Sequence, residues 1–183
     1  MFNQEEERSF IAYGRVLSGT LKEGSDVKVL LENYDATQGG SENMYIANAK
    51  KLWLMQAGGR HKVNISQVST GMWVGIEGID RGIIKTATVV HPDCQRVMPI
   101  KKLAFNSESV MKIACEPLNP SELPKMLEGL RKINKMYPMA HTKVEESGEH
   151  LIIGTGELYI DQIMHDLRTC YSEIEIKVSE PFI

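Results

Sequence analysis

Apolar and polar positions fall into two regimes along the chain. Up to about residue 105 the apolar residues come in short alternating runs broken by glycine, over residues 10–17, 27–31, 45–55, 72–79 and 84–90. Side chains alternate across a strand, so a period of two marks a half-buried strand, and several short strands with turn residues between them predict an all-β sandwich or barrel. In the first run Phe10, Ala12, Gly14 and Val16 share one face, opposite Tyr13 and Arg15, and the former face is expected to pack inward. Gly19 and Gly24 bracket Thr20, Leu21, Lys22 and Glu23, a predicted reversal into the run that starts at Val27. Residues 33–43, with Asp35, Gly39, Gly40 and Ser41, read as a polar loop. The alternation from Tyr45 breaks at Lys50 and Lys51, which predicts either a bulge or two separate elements.

Beyond residue 105 helical and strand periods take turns. Met111, Ile113 and Cys115 alternate with Lys112, Ala114 and Glu116, a strand that Pro117 ends. Leu123, Met126, Leu127, Leu130, Ile133, Met136 and Tyr137 recur at spacings of three and four, one stripe of a helix that Asn119 is expected to cap, Pro120 to open and Pro138 to close. Residues 142–146 and 150–153 read as two strands joined through Ser147 and Gly148. Ile160, Ile163, Met164, Leu167 and Tyr171 define a second helix, and Ile174, Ile176 and Val178 a last strand. The order strand, helix, strand, strand, helix, strand predicts a ferredoxin-like α+β unit, with both helices on one face of an antiparallel sheet. The expected organisation is a β-barrel domain over residues 1–105 and a ferredoxin-like domain over residues 106–183.

Charge sharpens this division. Residues 1–105 carry 13 basic and 11 acidic side chains, residues 106–183 carry 8 and 13, and the net charge of -3 gives no global attraction to phosphate or to an anionic membrane. Nucleic-acid binding must therefore be local. No apolar run is long enough to span a bilayer and the N-terminus lacks a secretory pattern, so an intracellular chain without membrane contact is expected. Cys94, Cys115 and Cys170 are odd in number and far apart, which predicts three free thiols, and the sequon at Asn64 is expected to go unused.

Candidate chemistry is sparse. The phosphate-cradling pattern GxxxxGK followed by Ser or Thr is absent from the sequence. Asn134, Lys135, Met136 and Tyr137 resemble a guanine-reading motif without its aspartate, and they fall on the amphipathic helix, where Met136 and Tyr137 serve better as core. Glu157, Asp161 and His165 at intervals of four put two carboxylates and an imidazole on one helical face, a metal-ligating pattern that competes with a solvated face where Asp161 pairs with His165 near Arg168. Glu145, Glu146 and Glu149 could supply an acid and a base, but adjacent strand residues point to opposite faces and a charged hairpin is the plainer expectation. Lys50, Lys51, Arg60, His61 and Lys62 form the one local basic cluster, with Lys50, Lys51, Arg60 and Lys62 as candidate phosphate or partner contacts against a purely solubilising role. No catalytic, cofactor-binding or metal-binding residue is assigned.

Three strings carry a resemblance that covers essentially the whole chain. GRVLSGTLKEGSDVKVL at residues 14–30, EPLNPSELPKMLEGLRKINK at 116–135 and EESGEHLIIGTGELYID at 145–161 resemble the second and third domains of translational GTPases of the elongation factor G and elongation factor 2 type. Where elongation factor 2 typically reads GELHLE this chain has Gly156, Glu157, Leu158, Tyr159, Ile160 and Asp161, followed by Met164-His165-Asp166-Leu167-Arg168. With Glu32-Asn33-Tyr34, Trp73 and Tyr171-Ser172-Glu173-Ile174, these positions resemble the branch of the family found in the spliceosomal U5 small nuclear ribonucleoprotein, while residues 35–43 and 55–60 depart from it. The resemblance implies a GTP-binding domain before Met1, further domains after Ile183, and GTP with magnesium bound by the parent protein. It also implies a nuclear role in splicing beside the scaffold protein and the RNA helicase of the U5 particle, with its small nuclear RNA as a further candidate partner. A ribosomal translocation factor and an independent metal-dependent hydrolase are the competing readings.

Overall fold

In the computed structural model, which describes residues 10–34, 43–59, 61–94, 97–106, 108–146 and 148–182, the chain divides into two units, Met1–Lys102 and Leu103–Ile183. The first is built from strands β1 (Ala12–Arg15), β2 (Thr20–Lys22), β3 (Asp26–Leu31), β4 (Met44–Asn48), β5 (Lys51–Gln56), β6 (His61–Asn64), β7 (Gln67–Ser69), β8 (Trp73–Glu77) and β9 (Ala87–Val90). As the alternation predicts, Ala12 and Val16 pack against the core while Tyr13 and Arg15 are exposed. The described strands form antiparallel sheets ordered β1-β8-β5-β6, β4-β3-β9 and β2-β7, and none of these closes into the expected barrel. The reason is local: at Ala49 and Lys50, where the alternation breaks, the chain leaves the sheet of β4 and enters that of β5, so no hydrogen-bonded ladder runs round a ring. Val27, Val29, Leu52, Val68, Val74, Ile76 and Ile79, drawn from all three sheets and the turn after β8, form one buried cluster.

A further expectation changes. Thr20 to Lys22 is a strand paired with β7 rather than a reversal, and the turning is done by the glycines themselves, with φ of 80° at Gly19 and 73° at Gly24, a left-handed backbone that glycine adopts without steric cost. Gly24 also donates its amide to the Ala49 carbonyl at 2.7 Å. The polar loop falls mostly on residues 35–42, outside the described residues, as do Arg60 and Ser147.

The second unit follows the expected order. Strand β10 (Met111–Pro117) leads through a 3-10 turn (Pro120–Glu122) into helix α1 (Leu123–Met136), then β11 (His141–Val144), β12 (His150–Gly154), helix α2 (Glu157–Asp166), a π-helical turn (Leu167–Tyr171) and β13 (Ile176–Val178). The sheet order is β11-β12-β10-β13, every neighbour antiparallel, with Ile113 opposite Ile152 and Cys115 opposite Val178. Ile113, Cys115, Ile152 and Ile176 join Met126, Leu130 and Ile133 of α1 and Ile160, Ile163 and Met164 of α2 in one core. Pro117 is the last residue of β10 to pair with β13, a strand-end position that suits a residue without an amide donor of its own. Asn119 does not cap with its side-chain oxygen; its amide nitrogen donates to the Glu122 carboxylate at 3.4 Å. Met136 is 58% exposed and leaves the predicted stripe, because it lies in the last turn of α1. Tyr137 is half-buried, with its hydroxyl donating to the Asp166 carboxylate and its ring edge-on to Tyr159.

Candidate functional site

The acidic candidates are scattered over solvent. Glu157, Asp161 and His165 are all exposed on α2, and among the described residues no group of three His, Cys, Asp or Glu side chains is placed to hold a metal ion. No ion pair joins Asp161 to His165 among those residues, and Arg168 instead donates to the Ile176 carbonyl at 3.0 Å. Glu145, Glu146 and Glu149 are exposed on the hairpin between β11 and β12, where the Glu145 amide donates to the Glu149 carbonyl at 3.0 Å. Asn134 and Lys135 lie in the last turns of α1, and the Asn134 side-chain oxygen is buried.

The basic cluster has a more informative setting. In an antiparallel sheet, residues directly opposite each other share a face. Tyr13 lies opposite Gly75, which lies opposite Trp53; Arg15 lies opposite Trp73, Lys51 opposite Glu77 and Met55 opposite Lys62. All of these side chains therefore stand on one face of the β1-β8-β5-β6 sheet, and Leu52, Val74 and Ile76 occupy the other, core-facing side. Lys51 and Lys62 belong to this outer face. Lys50 sits in the corner before β5, its amide donating to the Glu77 carbonyl at 3.0 Å, and His61 falls on the opposite side of its strand.

The outer face is aromatic as well as basic. Tyr13, 56% exposed, and Trp73, 51% exposed, stack with ring centroids 5.4 Å apart and planes within 16°. Beside them the Trp53 indole N–H donates to the Glu77 carboxylate at 3.0 Å, and the Lys51 ammonium stands 5.7 Å from the centroid of that ring. Arg15 is steadied by a 3.3 Å hydrogen bond from its Nε to the Gly71 carbonyl. The centre depends on Gly75, where an added Cβ would fall 2.8 Å from both the Ile11 and the Met55 side chains, so the missing side chain lets these two close over the sheet.

No family model matches the chain. Along its whole length the chain is 50% identical to the 110 kDa U5 small nuclear ribonucleoprotein component CLO of Arabidopsis thaliana and 49% identical to that plant's 109 kDa U5 small nuclear ribonucleoprotein component GFL. Over 182 residues it is 48% identical to the pre-mRNA-splicing factor cwf10 of Schizosaccharomyces pombe. The chain is thus similar, over its length, to a segment of these U5 components. It spans 18% of the length of each.

Sequence patterning singled out the lysines of the outer face and missed its rings. Tyr13, Trp53 and Trp73 are single aromatic residues in three separate runs, and only the pairing registers bring them together. The available signal was parity: Tyr13, Trp53 and Trp73 all occupy the outward phase of their alternations. The three cysteines are free, Cys94 and Cys170 exposed and Cys115 buried, and burial, followed by the charge of Glu116, pushes the Cys115 thiol up to about 12.

Proposed function

We propose that this chain is a noncatalytic, two-domain segment of a spliceosomal U5 GTPase acting in pre-mRNA splicing. The near-50% identity to U5 components along the whole chain carries this reading. In it, residues 1–105 are an all-β domain of the translation-factor domain-two type, supported by short antiparallel strands around a single cluster, and residues 106–183 are a ferredoxin-like domain of the domain-three type. The sheet order of the second unit, with its fourth, first, third and second strands in sequence, supports the latter assignment. GTP and magnesium belong to a nucleotide-binding domain elsewhere in the intact protein, and this segment passes that domain's state to the scaffold protein and RNA helicase of the U5 particle, in the nucleus. Lys50, Lys51, Arg60 and Lys62 are its candidate phosphate or partner contacts. Titration calorimetry of the purified chain with GTP and magnesium is expected to give no heat of binding; a micromolar site would overturn the noncatalytic role.

A further inference from the structure

We propose that the outer face of the β1-β8-β5-β6 sheet is a platform for single-stranded RNA, on which Tyr13, Trp73 and Trp53 take unpaired bases while Arg15, Lys51 and Lys62 take the phosphates. Large aromatic side chains normally bury most of their area, and here two of them stand half exposed on one sheet, already stacked in parallel. Such a pair offers a further flat ring its next place in the stack, and base-on-aromatic stacking is tolerant of sequence because every base has a π face. Both tryptophans of the chain lie on this face.

Charge selects the occupant. Arg15 flanks the rings on the β1 side, next to Trp73, and Lys51 and Lys62 flank them on the β5 and β6 side, in a chain whose net charge is -3. Of the carboxylates that reach this face, Glu77 accepts from the Trp53 indole and Glu23 accepts at its β6 edge from the Asn64 amide at 3.2 Å. Positive charge gathered beside exposed rings on an otherwise acidic molecule fits a polyanion with flat apolar faces. A proline-rich peptide would use the rings and leave the cations idle, and a duplex keeps its bases stacked on each other. Four strands at the usual spacing make a surface about 14 Å across, which suits two or three unstacked bases. The choice of RNA over DNA rests on the splicing assignment; the platform itself does not.

The full 183-residue chain and a ten-nucleotide single-stranded RNA of mixed sequence make the test. Binding is expected to quench tryptophan fluorescence, and with three phosphate contacts the plot of log affinity against log salt should slope at about -2. Tyr13→Ala and Trp73→Ala should each weaken binding roughly tenfold, while Trp73→Phe keeps most of it. Lys51→Gln or Lys62→Gln should flatten the salt slope by about 0.7, and Lys177→Gln in the second unit should change nothing. Far-UV circular dichroism of each variant confirms that it is folded. Absence of RNA binding by the folded chain, affinity unmoved by Tyr13→Ala and Trp73→Ala, equal affinity for duplex RNA, or saturation by a proline-rich peptide in place of RNA would each overturn the platform. Tighter binding of single-stranded DNA of the same sequence would overturn the choice of RNA. Because purified chain and oligonucleotide suffice, these results stand apart from the splicing assignment, which capture from nuclear extract tests separately.

Discussion

Cys115 lies opposite Val178 and His150 in the middle of its sheet, fully buried, and its Sγ donates to the His150 carbonyl at 3.3 Å. Only the thiolate is reactive, and burial withholds it. In the native protein at neutral pH, Cys94 and Cys170 should therefore react with a chromogenic disulfide reagent and Cys115 should react only after unfolding; three fast thiols would contradict the placement. The same burial makes stability depend on pH. The folded thiol titrates near 12 against an ordinary value of 9, so its contribution is complete below pH 9 and is lost as pH rises from about 9 towards 12, at about 1.4 kcal/mol per pH unit. Tyr137, raised by burial and then by its Asp166 partner, acts in the same direction. Denaturant titrations at pH 8 and 10.5 should show a smaller loss for Cys115→Ala than for the parent chain.

Among the elements, α1 tests the packing most directly. Gly129 is buried in the middle of it, where glycine costs about 1 kcal/mol of helix propensity. The compensation is proximity: an added Cβ would meet the Leu167 side chain at 2.8 Å and the Ser172 Cβ at 3.1 Å, so the gap admits the π-helical turn after α2 against the helix. Gly129→Val should destabilise by about 1–3 kcal/mol through overpacking, and Leu130→Ala by about 2–5 kcal/mol through a cavity, both measured by chemical denaturation. An unchanged midpoint for either variant would contradict the buried face of α1. This unit was the legible one, because in α1, α2 and β10 the apolar period and the buried face largely coincide. The first unit was harder. Every residue of β6 is exposed, so it has no apolar alternation to read, and β7 has three residues with only Val68 buried. Asn119 was misread for a different reason: its side chain had a second partner, Glu122, one turn away. The rings of the outer face were visible in the sequence but their meeting was not, since Tyr13 and Trp73, 60 positions apart, are brought together only by the pairing of β1 with β8.

At the scale of the molecule, basic character and the aromatic face belong to the first unit, and the acidic excess to the second. An immobilised chain incubated with nuclear extract should retain splicing components of the U5 particle; recovery of ribosomal particles in their place would favour a translation factor. None of the described helices is long and apolar enough to cross a membrane. The corner at Ala49 and Lys50 connects the two larger sheets with no loop between them, and Ala49 itself is fully buried. Length there is therefore a coded quantity. One residue more would turn Leu52 and Leu54 out to water and drive Trp53 into the interior, since a strand exchanges its two sides at every step. Variants of this protein are accordingly expected to tolerate exchanges of residue type at Lys50 but not insertions or deletions beside it.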